Sequence, residues 1–319
     1  MYDVIGDIHG YYDKFEQLMQ LMGYQARGLG FVPPQGRKAV FVGDLIDRGP
    51  EQLKLLAAIR AMVDAGDALV VMGNHEFNAI AYITEDPDRN DGECLRPNRS
   101  NSATATKNRA QHAAFLAQVG EGSLGHRQWV DWFKALPLHL DLGGIRVAHA
   151  WWDEQSARLT DQARFRDASG SLTDDFMVES HRSSSALKAA RKILTTGHEV
   201  RLPPGHFVTD KEGHKHDNAR LKMWLHEATH LHDIAIVPGG DRSVLPDITL
   251  SEIAPEGIKP VTGAPIFIGH YWYSGPVRLE SSKVAVLDWS AAKGGPLVAY
   301  RWEGESTLSN NQWVSTAHN

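Results

Sequence analysis

Five apolar runs in this chain end alike, in a small residue followed by a side chain able to hold a metal ion. Val4-Ile5-Gly6 leads to Asp7, Phe41-Val42-Gly43 to Asp44, Val71-Met72-Gly73 to Asn74, Val147-Ala148 to His149, and Phe267-Ile268-Gly269 to His270. One such ending arises easily by chance; five form a pattern. Asp and Asn also cap helices and make turns, and a lone histidine after a strand is often only a satisfied core residue. The spacing favours ligands. Asp7 and His9, two apart, project to one side if extended geometry continues through them. The stretch Gly43-Asp44-Leu45-Ile46-Asp47-Arg48-Gly49 holds two carboxylates and a guanidinium. Asp44 at the strand end is placed to bridge two ions. Arg48 offers the bidentate fork that suits phosphate. Gly73-Asn74-His75-Glu76 adds an amide oxygen and a further imidazole.

Oxygen and imidazole donors without thiolate suit Mn²⁺, Fe or Zn²⁺, and the ligand set does not choose among them; Mn²⁺ is the expected pair of ions, with Fe or Zn²⁺ open. Two such ions, roughly 3.5–4 Å apart, activate a bridging water and stabilise both oxygens of an in-line displacement. The departing oxygen then needs a proton. His75 is the candidate donor, with Asp47 orienting it. His198 also follows an apolar run, Ile193-Leu194-Thr195-Thr196-Gly197, and rivals His270 as a ligand; His270 is preferred because a clear strand precedes it.

Beside two of these histidines lie Trp151, Trp152, Tyr271, Trp272 and Tyr273, which either stack on a flat substrate group or simply pack. His214, His216, Arg220 and Lys222 form a basic cluster, read as a solvated face or as a lid over an anionic substrate. Cys94 is the only cysteine, so one chain builds no disulfide.

The elements that must position these groups can be read in outline. Strand patterns at Tyr2–Ile5, Lys38–Val42 and Ala68–Met72 alternate with helical patterns at Asp13–Met22, from Pro50 to Asp64, and from Glu76. That alternation implies βαβ units and a largely parallel sheet, whose ligands sit beyond the carboxyl ends of the strands. A polar loop from Thr84 to Ser102 precedes helices at Ala103–Val119 and Gly125–Leu136. Leu138–Leu142 and Ile145–Ala148 flank Gly143-Gly144 as a hairpin. Asp174–Ile193 reads as helical in part, Thr209–Asn218 as loop. The tail, with runs at Pro265–Ile268, Lys283–Trp289 and Pro296–Trp302, is expected to be mainly antiparallel. The whole is expected to be one domain over 1–319, with insertions at about 84–136 and 153–231.

At 319 residues, 42% hydrophobic and 23% charged, the composition is that of a globular protein. A formal net charge of -6 argues against a broad nucleic-acid footprint. No apolar run nears the roughly 20 residues of a membrane span, and the first residues carry no leader pattern, so a cytoplasmic location is expected.

Gly6-Asp7-Ile8-His9-Gly10, Gly43-Asp44 through Arg48-Gly49, and Gly73-Asn74-His75-Glu76 together resemble the three opening motifs of the calcineurin-like metallophosphoesterases. The Asp47-Arg48-Gly49 and Asn74-His75-Glu76 forms are similar to the branch of phosphoprotein phosphatases and diadenosine tetraphosphate hydrolases. That resemblance implies an α/β fold with a central β-sandwich of mixed sheets flanked by helices. It implies Asp7, His9 and Asp44 on one metal, and Asp44, Asn74, His149 and His270 on the second. It further implies Asp47–His75 as the catalytic pair and Arg48 on phosphate. The later histidines depart from the family's pattern, reading His149-Ala150-Trp151 and Gly269-His270-Tyr271-Trp272. The expected activity is hydrolysis of phosphomonoesters, on phosphoproteins or small molecules, by metal-activated hydroxide. A dinucleoside tetraphosphate hydrolase is the alternative. A nucleic-acid phosphodiesterase is disfavoured by charge, and a non-catalytic binding module by the intact ligand set. The oligomeric state is not legible.

Overall fold

The computed structural model describes residues 1–209, 215–237, 242–253 and 258–317. Two mixed sheets face each other. The first has five strands in the order Trp313–Ser315, Val298–Trp302, Tyr2–Ile5, Lys38–Phe41, Ala68–Val70. Its last three strands are mutually parallel, and Val298–Trp302 runs antiparallel to Tyr2–Ile5. The second has four strands, in the order Val284–Val286, Ile266–Ile268, Arg146–Ala148, His139–Asp141.

Alternation along each strand separates the faces. Val4, Val40 and Val147 join Phe267 and Ala285 in the core between the sheets. Their neighbours Ile5, Phe41 and Ala148 face outward, into a second core with Phe15, Leu18, Leu55 and Ile59 from the helices Tyr12–Leu21 and Gln52–Asp64. On the outer side of the second sheet, Ile266, Ile268, Val284 and Val286 pack with Trp151, Trp224 and Tyr271. The architecture is the expected sandwich flanked by helices.

The tail departs from expectation. Ile266–Ile268 pairs parallel with both Arg146–Ala148 and Val284–Val286, and only Val298–Trp302 and Trp313–Ser315 pair antiparallel. The parallel register keeps the carboxyl end of Ile266–Ile268 level with that of Arg146–Ala148, which brings His270 and His149 to one edge. The region around 174–193, expected to be helical in part, holds two helices, Asp174–Glu179 and Ala186–Thr196, separated by Ser180–Ser185. Part of the expected loop is strand: Lys215–His216 pairs antiparallel with Val208–Thr209. From the loop's last residue, Asn218–Leu221 pairs with Glu199–Arg201 and Ala235–Ile236 in a small third sheet with its own core of Leu202, Ala219, Leu221 and Leu231. Among the described residues no helix is long and apolar enough to cross a membrane.

Candidate active site

The glycines at the strand ends are close-approach positions. A Cβ on Gly269 would stand 1.9 Å from Asp7 Oδ1, and one on Gly43, at φ 98°, would stand 2.4 Å from the Gly73 backbone nitrogen. Backbone conformation marks the same edge. Among the described residues seven non-glycines have positive φ, and six of them are His9, Asp44, Asp47, Arg48, His270 and Trp272. Such conformations cost on the order of 1–3 kcal/mol each and gather at functional sites.

Asp44 sits at the centre. Its Oδ2 lies 3.3 Å from His149 Nε2, 3.7 Å from His9 Nε2 and 3.9 Å from His75 Nε2. Its Oδ1 accepts the His75 backbone N–H at 3.0 Å. Two sets of ligand atoms, His9–Asp44–His75 and Asp44–His149–His270, each fit within 4.8 Å, and Asp44 belongs to both. Neither set contains Asp7, whose Oδ2 accepts the His270 backbone N–H at 2.9 Å. Asn74 Oδ1 is 3.0 Å from His149 Nε2. His198 joins neither set. Backbone carbonyls orient the rings: His9 Nδ1–H donates to Ile46 O at 2.8 Å and His149 Nδ1–H to Val42 O at 2.7 Å. Each ring therefore turns its Nε2 toward Asp44, the arrangement that metal-binding histidines adopt.

Three buried polar atoms around His270 have no partner: Asp7 Oδ1 and both ring nitrogens of His270. Buried polar groups without partners are rare and call for an explanation. A divalent cation supplies one, so the residues fit a metal centre. The electrostatics agree. Burial, with Asp288 and Asp44 nearby, raises the Asp7 carboxyl well above its usual range. At Asp44 burial acts in the same direction, but His149, His75 and His9 outweigh it and hold the carboxyl low. Burial and His75 push His9 down to about 4, and burial with Arg220 drives His270 well below normal, so both imidazoles are neutral as ligands must be. Burial opposes a proton on His149, yet Asp44 raises it to about 10.

Glu76 holds the Asp44 loop. Buried completely, it accepts N–H bonds from Asp44 and Gly73 on one oxygen, at 2.9 Å each, and from Leu45 and Ile46 on the other, at 2.8 and 3.3 Å. Asp47, also buried, receives His75 Nδ1–H on Oδ2 at 2.6 Å and its backbone N–H reaches Gln52 Oε1 at 2.9 Å. Burial opposes a proton on His75, but Asp44 and Asp47 overcome it and raise its pKa.

These groups open into a cavity of about 910 Å³ whose wall, among the described residues, carries Arg48, Arg96, Lys107, Arg191 and Arg220 against the carboxylates Asp47 and Glu199. Arg191 lies over the Phe77 ring at 4.6 Å, and Arg220 over Trp272 at 5.3 Å. The Nε atoms of both arginines are buried without a partner. Of the aromatics, Trp151, Trp152 and Tyr271 are packed in the core, and Tyr273 donates its hydroxyl to Glu280. Trp272 alone of the five is exposed, at 38%, and lines the cavity. Of the basic cluster, Arg220 and His216 line the cavity, Lys222 pairs with Glu280 at 2.8 Å, and His214 lies outside the described residues.

Sequence reading missed His112, Glu76 as a loop clamp, and Arg96, Lys107 and Arg191 of the cavity lining; Arg220 it names in the basic cluster. His112 left one legible trace: it falls on the buried stripe Ala105, Asn108, His112, Phe115, Leu116, Val119 of its helix, at helical spacing.

The family profile described as Calcineurin-like phosphoesterase matches residues 2–239. The chain belongs to the calcineurin-like phosphoesterases, hydrolases acting on phosphate esters. It is 34% identical over 151 residues to the bis(5'-nucleosyl)-tetraphosphatase PrpE [asymmetrical] of Geobacillus thermodenitrificans, covering 46% of this chain and 56% of that protein. To the PrpE of Halalkalibacterium halodurans it is 42% identical over 82 residues, covering 26% and 33%. The matched stretch thus spans about half or less of these relatives' own length. A cold-active protein-tyrosine phosphatase of Shewanella sp. superposes with TM-score 0.44 at 16% identity, covering 94% of this chain and 75% of that one.

Proposed function

We propose that this chain hydrolyses substrates carrying a chain of phosphates, of the dinucleoside polyphosphate class, in preference to simple phosphomonoesters. The observation that carries this reading is the cation-rich wall of the cavity. Arg48 suffices for one phosphoryl group beside the ligand cluster, whereas Arg96, Lys107, Arg191 and Arg220 extend positive charge along a cavity of about 910 Å³. A phosphate chain is the small ligand whose charge matches such a wall. The tetraphosphatase names of the relatives support it.

In this reading Asp7, His9 and Asp44 hold one divalent cation, and Asp44, Asn74, His149 and His270 hold the second. When bound, the pair, Mn²⁺ first and Fe or Zn²⁺ otherwise, neutralises phosphate charge and acidifies a water. The chain's own groups do the rest. Arg48 orients the phosphoryl oxygens through two parallel N–H bonds. His75 donates its Nε2 proton to the departing oxygen while Asp47 keeps Nδ1 protonated and the ring in place. Trp272 offers a face to a base. The test compares diadenosine tetraphosphate with 4-nitrophenyl phosphate on Mn²⁺-loaded protein. We expect kcat/KM to favour the tetraphosphate by about 100-fold, because binding energy from remote groups is realised in the transition state. Equal values would return the assignment to phosphomonoesters.

A further inference from the structure

Asp47 is shared by two histidines from different parts of the chain. His75 Nδ1 meets its Oδ2 at 2.6 Å, and His112 Nδ1 meets its Oδ1 at 2.8 Å. An ionised carboxylate only accepts, so each ring must place its proton on Nδ1. His112 is 4% exposed and its helix, Ala103–Val119, carries none of the strand-end motifs. Its ring is wedged between Tyr82 and Phe115, at centroid distances of 5.2 and 5.0 Å, and its Nε2 is buried without a partner.

From this geometry we infer that His112 is a positioning residue, which holds Asp47 in the one orientation that keeps His75 protonated on Nδ1 and aimed at the departing oxygen. The inference rests on reading His75 as the proton donor. A carboxylate bound through one oxygen alone turns about its Cβ–Cγ bond, a broad torsion. Bound through both oxygens, from opposite partners, it cannot turn without breaking a charge-assisted hydrogen bond. Burial works against charge on Asp47, and the bonds from His112 and His75 outweigh it, keeping the carboxyl well below its usual range. As the P–O bond breaks, its electron pair stays on the departing oxygen and takes the His75 Nε2 proton, leaving a neutral ring still donating from Nδ1 to Asp47. Without His112 the acceptor for that Nδ1 proton is loose, and the cost falls on leaving groups that need the proton.

Two variants separate packing from hydrogen bonding. His112→Phe keeps the ring between Tyr82 and Phe115 and removes the donor; His112→Asn keeps a donor near the Nδ1 position and removes the ring. Rates on Mn²⁺-loaded protein are measured with aryl phosphates of rising leaving-group pKa. We expect H112F to lose about tenfold with the poorest leaving group and under about twofold with the best, the range found when partners behind a functional side chain are removed. H112N is expected to stay within about threefold of wild type throughout. An even loss across the series, or an H112N no better than H112F, overturns the inference. His75→Asn is the reference: if it leaves the leaving-group dependence flat, the proton-donor reading has failed, and this inference with it. A second readout needs no turnover. In ¹⁵N spectra of histidine-labelled, metal-free protein, the His75 Nδ1 proton should be present in wild type and H112N and lost or broadened in H112F. An unchanged His75 signal in H112F refutes the role of His112 independently.

Discussion

The strand-end cluster and the cationic wall of the cavity beside it are built on opposite principles. The cluster places Asp7, His9, Asp44, His149 and His270 at 5% exposure or less, on short loops held by backbone bonds and by Glu76. The cationic wall places Arg96, Arg191 and Arg220 part-exposed on the insertions, with rings and a few polar contacts behind them. Chemistry demands placement within a fraction of an ångström, whereas recognition of a phosphate chain demands charge and reach. Under the proposed function, the cluster sets whether the reaction occurs and the cationic wall sets what is admitted.

The largest effect should come from the shared ligand. Asp44→Asn is expected to lower phosphate release by more than about 10³-fold, as loss of a metal-centred catalytic group does. It should also abolish the rise in melting temperature on adding Mn²⁺, since only the folded site binds the ion. A variant retaining both would break the strand-end assignment. Next, Glu76→Gln puts an amide N–H₂ where two backbone N–H groups now find an acceptor. We expect about 3 kcal/mol of lost stability in urea titration; a change within about 0.5 kcal/mol would show that the Asp44 loop stands without its clamp.

Substitutions on the cationic wall and at Trp272 should have smaller, selective effects. Arg191→Gln and Arg220→Gln are each expected to raise KM for diadenosine tetraphosphate by about tenfold, while changing turnover of 4-nitrophenyl phosphate less than twofold. Tenfold corresponds to about 1.4 kcal/mol, within the range for a hydrogen bond to a charged group. Equal losses on both substrates would erase the distinction between cluster and wall. Smallest of all, Trp272→Ala should cost about fivefold in KM for the dinucleotide, the lower end for one base stacked on an aromatic ring. No effect there would leave Trp272 as mere covering for Arg220.

How legible each region was follows from the same contrast. Asp7, Asp44, Asn74, His149 and His270 could be named because each follows its own strand within four residues, and apolar run, small residue and ligand form a local unit. The parallel strand–helix units of the first 83 residues followed from the alternation of strand and helix patterns, whereas the two-sheet sandwich was implied by the family resemblance. The tail was misread because Ile266–Ile268 has the same pattern whether it pairs parallel or antiparallel; the choice lies in the partner, not in the strand. His112 was invisible for a related reason. Its partner Asp47 stands 65 positions away, and only the packing of Ala103–Val119 beside the Asp47 loop makes a buried histidine into a hydrogen-bond donor for that carboxylate.

What the amino-acid sequence determined by itself is the family of the fold, the order of the strand-end ligands and the kind of chemistry they serve, since those depend on short-range backbone geometry and side-chain type. The tertiary structure alone decided that Asp47 takes two histidines, that Trp272 and not Trp151 faces the cavity, and that scattered arginines line the same cavity. Each of those is a contact between distant segments. Its free energy depends on which surfaces the core brings together, and residue spacing carries no record of that.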